Sequence, residues 1–278
     1  MTAIKFRKLT SSLGAVAIET KLTDVIGDPE AEASLRNGLW NHLMLAFPSQ
    51  HLDDETHEAV ARIFGEPFVH PIGLAFGRTS PIEEIVDSAD RLPDRDGWHT
   101  DAPFVTEPPS VAVLRSLEVP EHGGDTLWAN MYAAYDALSE RMQQMFDGAM
   151  VRYPPQQGLI DYVEEHLGKE LADTVRELAG EGGTHPLVRT HPETGRKAIY
   201  YAEGFATDIV GLTKAENAAL RPFLSAIPTN PSIQTRWNWS AGDVVIWDER
   251  ATQHFGAADH SGSARTLRRI MVAGEVPH

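Results

Sequence analysis

The sequence predicts a mainly β fold with peripheral helices, in the form of a double-stranded β-helix, the jelly roll that cupin-like proteins adopt. Three observations predict it: many short β-like runs, turn signals between them, and no regular alternation of strand and helix. With 278 residues and 42% hydrophobic content, the chain can bury a sizeable core. Nothing in the sequence marks a domain boundary, so we expect a single domain over residues 1–278.

Four segments carry helix signals. Asp53 or Asp54 is placed to cap one helix, and Gly65 is placed to end it. Thr213 and Glu216 have the spacing of a capping box at the start of another. The predicted helices cover residues 53–65, 130–148, 160–178 and 213–224.

Seven apolar runs are typical of strands, and turn signals such as Gly123-Gly124 separate them. In chain order they are FVHPIGL, SVAVLRSLEV, TLWAN, AIYYA, QTRWNW, DVVIW and RTLRRIMVAG. Strands that do not alternate with helices favour an antiparallel sandwich, with the helices packed outside it.

Composition excludes several classes of function. Forty acidic residues against twenty-four basic ones give a net charge of −16, which disfavours nucleic acid and anionic membranes as partners. No apolar run is long enough to span a bilayer, and the first twenty residues do not resemble a signal peptide, so we expect a cytoplasmic protein. The sequence leaves open whether the protein forms a homo-oligomer. The absence of cysteine excludes disulfides and thiolate ligands, so a metal site must rest on His, Asp or Glu.

The stretch WHTDAPF contains a His-x-Asp pair. Residues i and i+2 of a strand face the same side, so His99 and Asp101 can present a nitrogen and an oxygen to one ion. The aromatic neighbours favour this reading, because a carboxylate among apolar groups needs a cation or a metal as partner. The same spacing recurs at His51 and Asp53, where a cap on the predicted helix explains the aspartate.

A third ligand is found much later in the chain. The run DVVIW is expected to lead into a polar loop that delivers His254 beside Phe255. Two histidines and one carboxylate form the facial triad of non-haem Fe(II) oxygenases, which leaves positions for a cosubstrate and dioxygen. Two rivals stay open: a zinc hydrolase with the same ligands, and a non-catalytic cupin-like protein that binds an organic anion.

The last predicted strand carries alternating arginines. Arg265, Leu267, Arg269 and Met271 share one face if the segment is extended. A guanidinium group on an otherwise apolar interior face requires an anion. The alternative is an exposed edge strand on which both arginines are solvated.

Taken in order, WHTD, GGDTLW, RTHPETG, WDERATQH and the later arginines resemble the taurine dioxygenase family of Fe(II)/2-oxoglutarate-dependent dioxygenases, which has alkylsulfatase-type relatives. The likeness runs from about Phe6 to Pro277. It implies a dioxygenase that uses Fe(II), 2-oxoglutarate as cosubstrate and dioxygen. The implied substrate is a small organic anion, either a sulfonate such as taurine or an alkyl sulfate. Hydroxylation beside the heteroatom would release sulfite or sulfate, with succinate and CO2; a non-sulfur carboxylate is the alternative substrate.

The resemblance also implies roles for individual residues. It makes His99, Asp101 and His254 the iron ligands and the catalytic centre. Thr126 and Arg265 match the positions that hold the distal carboxylate of 2-oxoglutarate. The implied substrate-binding residues are Arg269 at the sulfonate, with His70, Phe104 and Phe205 lining the same pocket.

Two positions depart from the family pattern. Gly73 stands where taurine dioxygenases have tyrosine, and Arg95 stands where they have asparagine. A larger pocket and an added positive charge both argue against taurine and favour a longer or amine-free anion such as an alkyl sulfate.

Five further histidines are assigned no role in the site. His185 and His191 each precede a proline and are predicted turn residues, whereas His122, His166 and His260 are predicted surface residues. The long interruption of the strand series at residues 154–183 is a lid candidate.

Overall fold

The computed structural model describes residues 3–88, 97–155, 157–260 and 262–278. Its strands are β1 Phe6–Lys8, β2 Ala15–Ala17, β3 Met44–Phe47, β4 Pro67–Phe68, β5 Ile82–Asp87, β6 Val111–Glu118, β7 Thr126–Asn130, β8 Met150–Tyr153, β9 Gly183–Pro186, β10 Val188–Thr190, β11 Lys197–Ile199, β12 Asp208–Ile209, β13 Gln234–Trp237, β14 Val244–Asp248, β15 Thr252–Gly256 and β16 Arg265–Val272. Its α-helices are α1 Pro29–His42, α2 Asp54–Arg62, α3 Pro71–Ala75, α4 Met131–Asp136, α5 Glu140–Phe146, α6 Gln157–Leu167, α7 Lys169–Ala179 and α8 Lys214–Ala226. Short 3-10 turns lie at Leu22–Asp24, Ile227–Thr229 and Pro231–Ile233.

Two sheets form the sandwich. The larger sheet has the order β1-β2-β3-β14-β6-β16-β4, and β5 also pairs with β16. The smaller sheet has the order β13-β7-β15. They face each other across an apolar layer in which Trp128 of β7 lies 5.6 Å from Trp247 of β14, measured between ring centroids. This arrangement confirms the predicted jelly roll.

The larger sheet is covered on both faces. In β14, Val245 and Trp247 point to the layer between the sheets, whereas Val244 and Ile246 join a second cluster with the helices α1 and α2. The two-residue period of a strand produces this division. Because both faces are buried, the strand reads as a continuous apolar run and not as an alternating one.

Helix α1 was not among the predicted helices, although its signals are present. The Asp28 side chain accepts hydrogen bonds from the backbone N–H groups of Glu30 and Ala31, and Pro29 occupies the first turn. Gly38 lies in the middle of the helix, where a Cβ would come within 2.5 Å of the Phe6 ring. The helix therefore needs glycine there to pack against β1.

Two predicted helices are confirmed and two are divided. Helix α2 is capped by Asp53, and the capping box of α8 is present. The segment 130–148 contains α4 and α5, because Ser139 caps a new helix. The segment 160–178 is broken between α6 and α7 at Gly168, whose φ of 104° is incompatible with a continuous helix.

The strand predictions are mostly confirmed. TLWAN coincides with β7, and five other runs overlap β6, β11, β13, β14 and β16. The strand predicted over FVHPIGL is wrong, since β4 ends at Phe68 and α3 begins at Pro71. Proline is well suited to the first turn of a helix, and this outweighs the apolar run. None of the helices within the described ranges is long and apolar enough to cross a membrane.

Candidate functional site

The two histidines of the predicted metal site are joined through their backbones. His254 lies in β15 and not in a polar loop, and His99 forms an isolated antiparallel bridge with it. The His99 N–H donates to the His254 carbonyl at 3.0 Å, and the His254 N–H donates to the His99 carbonyl at 2.7 Å. The ring centroids are 4.2 Å apart as a result. These two backbone hydrogen bonds thus hold His99 and His254 side by side, although the residues are far apart in the sequence.

Asp101 completes the group, although it does not lie on a strand as predicted. The chain bends at Asp101, and Ala102 has a positive φ of 44°. Asp101 Oδ1 lies 3.8 Å from Nε2 of His99 and 3.8 Å from Nε2 of His254. Among the residues that the structure describes, these three form the only cluster of its kind, with all donor atoms within 4.8 Å of one another.

The donor set fits a first-row transition metal. Cis donors of an ion with bonds of about 2.1 Å lie roughly 3 Å apart, so small side-chain movements bring the three atoms to bonding distance. His99 Nδ1 lies 2.8 Å from the carbonyl oxygen of Gly97. Donation by Nδ1–H to that carbonyl leaves the lone pair of Nε2 facing the other two donors.

The protonation states also suit a metal. Burial, together with the neighbouring His99, lowers the pKa of His254 to about 3, although Asp101 opposes the shift. Burial raises the pKa of Asp101, but Arg269 and the two histidines outweigh it and hold that pKa well below its usual range. At neutral pH the cluster therefore offers an ionised carboxylate and a neutral His254 imidazole, the forms that bind metal ions.

A buried carboxyl group that the sequence reading missed lies behind the cluster. Glu249 Oε2 accepts hydrogen bonds from Thr100 Oγ1 at 2.7 Å and from the Asp101 backbone N–H at 3.1 Å. Its Oε1 accepts from Trp247 Nε1 at 2.6 Å. Burial and the charge of Asp101 raise the pKa of Glu249 well above its ordinary value. Glu249 ties the chain around Asp101 to β14.

Arg269 contacts the cluster directly. Its Nη1 donates to Asp101 Oδ2 at 2.7 Å, and its Nη2 and Nε donate to Glu83 Oε2 at 2.7 and 3.2 Å. Strand β16 is not an exposed edge, because β5 and β6 pair with it on its two sides. The predicted inward face is confirmed for Leu267 and Met271, which lie in the core between the sheets.

The three other predicted pocket residues form an aromatic row beside the cluster. His70 lies 5.6 Å from Phe104, Phe104 lies 6.3 Å from Phe205, and Phe205 lies 6.2 Å from His99, all between ring centroids. Burial lowers the pKa of His70, so this imidazole is neutral at neutral pH. The row gives the site one apolar wall.

A cavity of about 230 Å³ joins the cluster to the second arginine. His99, His254, Thr126, Arg265 and Arg269 all contribute to its wall. Both predicted 2-oxoglutarate residues therefore open onto the same space as the histidines.

Arg265 is buried, and burial lowers its pKa. Its Nη1 donates to Asp87 Oδ2 at 3.3 Å, while its Nε has no hydrogen-bond partner within the described part of the chain. Thr126 Oγ1 accepts from Trp239 Nε1 at 3.0 Å, which leaves its own hydroxyl hydrogen for a ligand. This end of the cavity can bind a carboxylate.

Two histidine assignments are wrong. His260 is buried and not on the surface, with Nε2 at 3.1 Å from Asp87 Oδ2. His185 is a buried residue of strand β9 and not of a turn. His191 does begin the turn between β10 and β11, where its carbonyl accepts from the Gly195 N–H at 2.9 Å, although its side chain is buried against Asp248 at 2.8 Å. The surface assignment of His122 and His166 is confirmed.

Arg95 and Gly73 are the two positions that depart from the family pattern. Arg95 lies outside the described residues. Gly73 lies in α3, and a Cβ there would have a single neighbour within 4 Å among the described residues, Arg78 Cβ at 3.8 Å. The lid candidate at residues 154–183 contains α6 and α7, and α7 packs on α3. Its motion stays a prediction.

Comparisons with known proteins agree with this geometry. The family model described as taurine catabolism dioxygenase TauD, TfdA family matches residues 5–271. An alkylsulfatase of Acinetobacter baylyi is 34% identical over 281 residues, which covers 98% of this chain and 86% of that protein. An alpha-ketoglutarate-dependent sulfate ester dioxygenase of Pseudomonas putida is 35% identical, over 95% of this chain and 88% of that protein. The crystal structure of a taurine dioxygenase from Burkholderia xenovorans superposes with a TM-score of 0.82 at 31% identity, over 99% of this chain and 92% of that one.

Proposed function

The chain belongs to the taurine catabolism dioxygenase TauD/TfdA family, and on this premise we propose that it is an Fe(II)- and 2-oxoglutarate-dependent dioxygenase that hydroxylates small alkyl sulfates or sulfonates. Residues 1–278 act as one dioxygenase domain. The observation that carries the proposal is the cluster of His99, Asp101 and His254, whose two histidines line a cavity that two arginines of one strand also line.

The three ligands would hold Fe(II) on one side. When bound, the ion supplies the oxidising chemistry with 2-oxoglutarate and dioxygen: one oxygen atom goes to succinate as CO2 is lost, and the other becomes the new hydroxyl group. The neutral His254 imidazole and the ionised Asp101 need no proton transfer before they bind. Glu249 forms hydrogen bonds with the Thr100 side chain and the Asp101 backbone, and these bonds keep the Asp101 carboxylate in position.

Arg265 and Thr126 anchor the distal carboxylate of 2-oxoglutarate. Within the described ranges, the Nε–H of Arg265 has no hydrogen-bond partner and Thr126 keeps its hydroxyl hydrogen, so both residues can donate to a carboxylate in the cavity whose wall they share. A dicarboxylate anchored there directs its keto-acid end toward the metal ligands. Burial strengthens this charge-assisted contact, because water does not compete for it.

Arg269 binds the anionic group of the substrate, and the aromatic row receives its carbon chain. Its guanidinium group is the positive charge next to Asp101, so the bound anion presents its adjacent carbon to the metal side of the cavity. His70, Phe104 and Phe205 exclude water from that space and give a C–H bond an apolar surface to lie against.

The substrate we favour is an alkyl sulfate ester. Two relatives aligned along nearly the whole chain are named for alkyl sulfates or sulfate esters. Gly73 contributes no side chain one turn after His70, which leaves more room than a tyrosine would. Hydroxylation of the carbon that bears the sulfate gives an unstable product, and breakage of its C–O bond releases an aldehyde and sulfate.

The test is a screen for oxygen-dependent succinate release. The enzyme is loaded with Fe(II) and 2-oxoglutarate and given taurine, longer alkanesulfonates, alkyl sulfates or carboxylates of matched chain length. We expect alkyl sulfates to stimulate succinate release most, with one sulfate formed per succinate. Asp101→Ala serves as the inactive control.

Other outcomes would identify the rivals. Stimulation by carboxylates alone would overturn the sulfur substrate but keep the oxygenase. Sulfate release without oxygen would favour a hydrolase. Binding without any succinate would favour an anion-binding protein.

A further inference from the structure

Glu83 is a carboxylate at the place where the substrate anion is expected to bind. It lies in β5 directly opposite Arg269 in β16, so the two side chains form a cross-strand pair. Asp101, Glu83 and Arg269 all lie close enough to His70 to influence its pKa. Arg269 donates to both Glu83 and Asp101, so Glu83 shares the guanidinium group that the substrate anion is proposed to bind.

We propose that Glu83 is a specificity-determining residue that makes the substrate-anion subsite accept a singly charged group, a sulfate monoester or sulfonate, and reject a doubly charged one such as a phosphate monoester. This inference rests on the proposed function, since it takes Arg269 as the residue that binds the substrate anion.

Hydrogen-bond capacity supports the proposal. A guanidinium group has five N–H donors. Asp101 takes one of them at Nη1, and Glu83 takes the pair at Nη2 and Nε. Two N–H groups of Arg269 remain for a substrate while these bonds persist. Two donors suit one pair of oxygens of a weakly basic sulfate, whereas a phosphate dianion has stronger acceptors to satisfy.

The balance of charges around Arg269 supports the proposal independently. Glu83 cancels the unit charge of Arg269, and His70 adds none, because burial lowers its pKa. The remaining charged side chain in contact with Arg269, within the described ranges, is Asp101, which is negative. A first negative charge on the ligand is held by directed hydrogen bonds. A second one would face Glu83, and the proposed Fe(II) does not offset it, because Fe(II), Asp101 and the 2-oxoglutarate dianion together carry a net charge of about −1.

The adjacent pair of the same two strands provides a matched control. Glu84 lies opposite Arg268, and Arg268 Nη2 lies 2.8 Å from Glu84 Oε2, as in the Glu83–Arg269 pair. This second pair lies on the other face of the strands, where Arg268 also binds Asp54. Glu84→Gln removes the same charge from the same strand without changing the cavity.

The experiment measures the binding of two anions with the same chain, hexyl sulfate and hexyl phosphate. Calorimetric titrations use the protein with Fe(II) and 2-oxoglutarate under nitrogen, so that no turnover occurs. The phosphate changes from monoanion to dianion around a pKa of about 6, whereas the sulfate stays a monoanion. At pH 8 we expect wild type to bind the sulfate more tightly by roughly tenfold or more, as for a unit charge nearby at an effective dielectric constant of about 20. At pH 5.5 this preference should shrink.

Glu83→Gln should reduce the pH 8 preference at least several-fold, and Glu84→Gln should leave it unchanged. Equal affinity of wild type for the two anions at pH 8 would overturn the inference without any variant. An unchanged preference in Glu83→Gln, or the same reduction in both variants, would also overturn it. If neither anion binds to wild type, the proposed anion subsite at Arg269 is contradicted as well. The succinate screen is a separate measurement, so an oxygenase acting on another substrate would be recognised independently.

Discussion

His99 and His254 exchange both of their backbone hydrogen bonds across one isolated bridge, at 3.0 and 2.7 Å. This bridge is the structural basis of the candidate metal centre, because it aligns two imidazoles from distant parts of the chain. Asp101 then needs to follow His99 by two residues and turn inward, which the bend at Asp101 and Ala102 achieves. The centre depends on tertiary structure as much as on the ligands.

Replacing Arg265 should weaken the binding of 2-oxoglutarate. We expect Arg265→Gln to cost about 2 to 4 kcal/mol of binding free energy, as for loss of one partner of a buried charged pair. The measurement is the dissociation constant of 2-oxoglutarate in the presence of metal. Arg268→Gln, on the opposite face of the same strand, is the control. Unchanged affinity in Arg265→Gln would mean that the carboxylate is anchored elsewhere.

Replacing Arg269 should act mainly on the primary substrate. We expect Arg269→Gln to weaken binding of the sulfate ester by at least tenfold and to change the affinity for 2-oxoglutarate much less. The reason is that Arg269 contacts Asp101 and Glu83, whereas the proposed carboxylate anchor is Arg265. Equal losses for both ligands would contradict separate roles for the two arginines.

Glu249 should act as a positioning residue. We expect Glu249→Ala to lower metal affinity by roughly 10- to 100-fold, the range typical of groups that orient metal ligands. Its hydrogen bonds to Thr100 and to the Asp101 backbone are then lost. Mn(II) binding followed by electron paramagnetic resonance measures the change, with the exposed Glu203→Gln as control. Wild-type affinity in Glu249→Ala would show that the chain holds Asp101 without this carboxyl group.

His57 should make stability depend on pH. Burial lowers the pKa of His57 from 6.5 to about 4, although its hydrogen bond to the Val113 carbonyl opposes the shift. Between these values the unfolded state binds a proton that the folded state does not, so stability falls as pH decreases from about 6.5 to 4. The loss is on the order of 3 kcal/mol in this window.

Denaturant unfolding of wild type and His57→Gln between pH 7 and 4 measures this effect. We expect the variant to lose less stability with decreasing pH, whatever its stability at pH 7. His122→Gln changes an exposed side chain and should follow wild type. Parallel curves for wild type and His57→Gln would exclude His57 as the source.

Local periodicity predicted much of the site. The alternation in β16 correctly indicated an inward face, because a strand's two-residue period does not depend on its partners. The His-x-Asp spacing correctly indicated two metal ligands, although the two residues do not lie on a regular strand. His99 belongs to an isolated bridge, and Asp101 lies in a bend. Ligand spacing is thus preserved even where the assumed backbone geometry is wrong.

What the sequence could not predict depends on register between distant elements. Glu83 faces Arg269 because of how β5 pairs with β16, and Glu249 reaches Thr100 across 149 residues of chain. His260 is buried because Asp87 lies opposite it. No local pattern distinguishes these side chains from solvated ones. Their partners are set only when the sheets have formed.

The most direct test of the metal centre is an anaerobic titration with Fe(II) and 2-oxoglutarate. We expect wild type to develop the weak visible charge-transfer band of a chelated keto acid, and His99→Ala, Asp101→Ala and His254→Ala each to lose it. Absence of the band in iron-saturated wild type, or its full retention in any of the three variants, would contradict the assignment of these residues to one iron site.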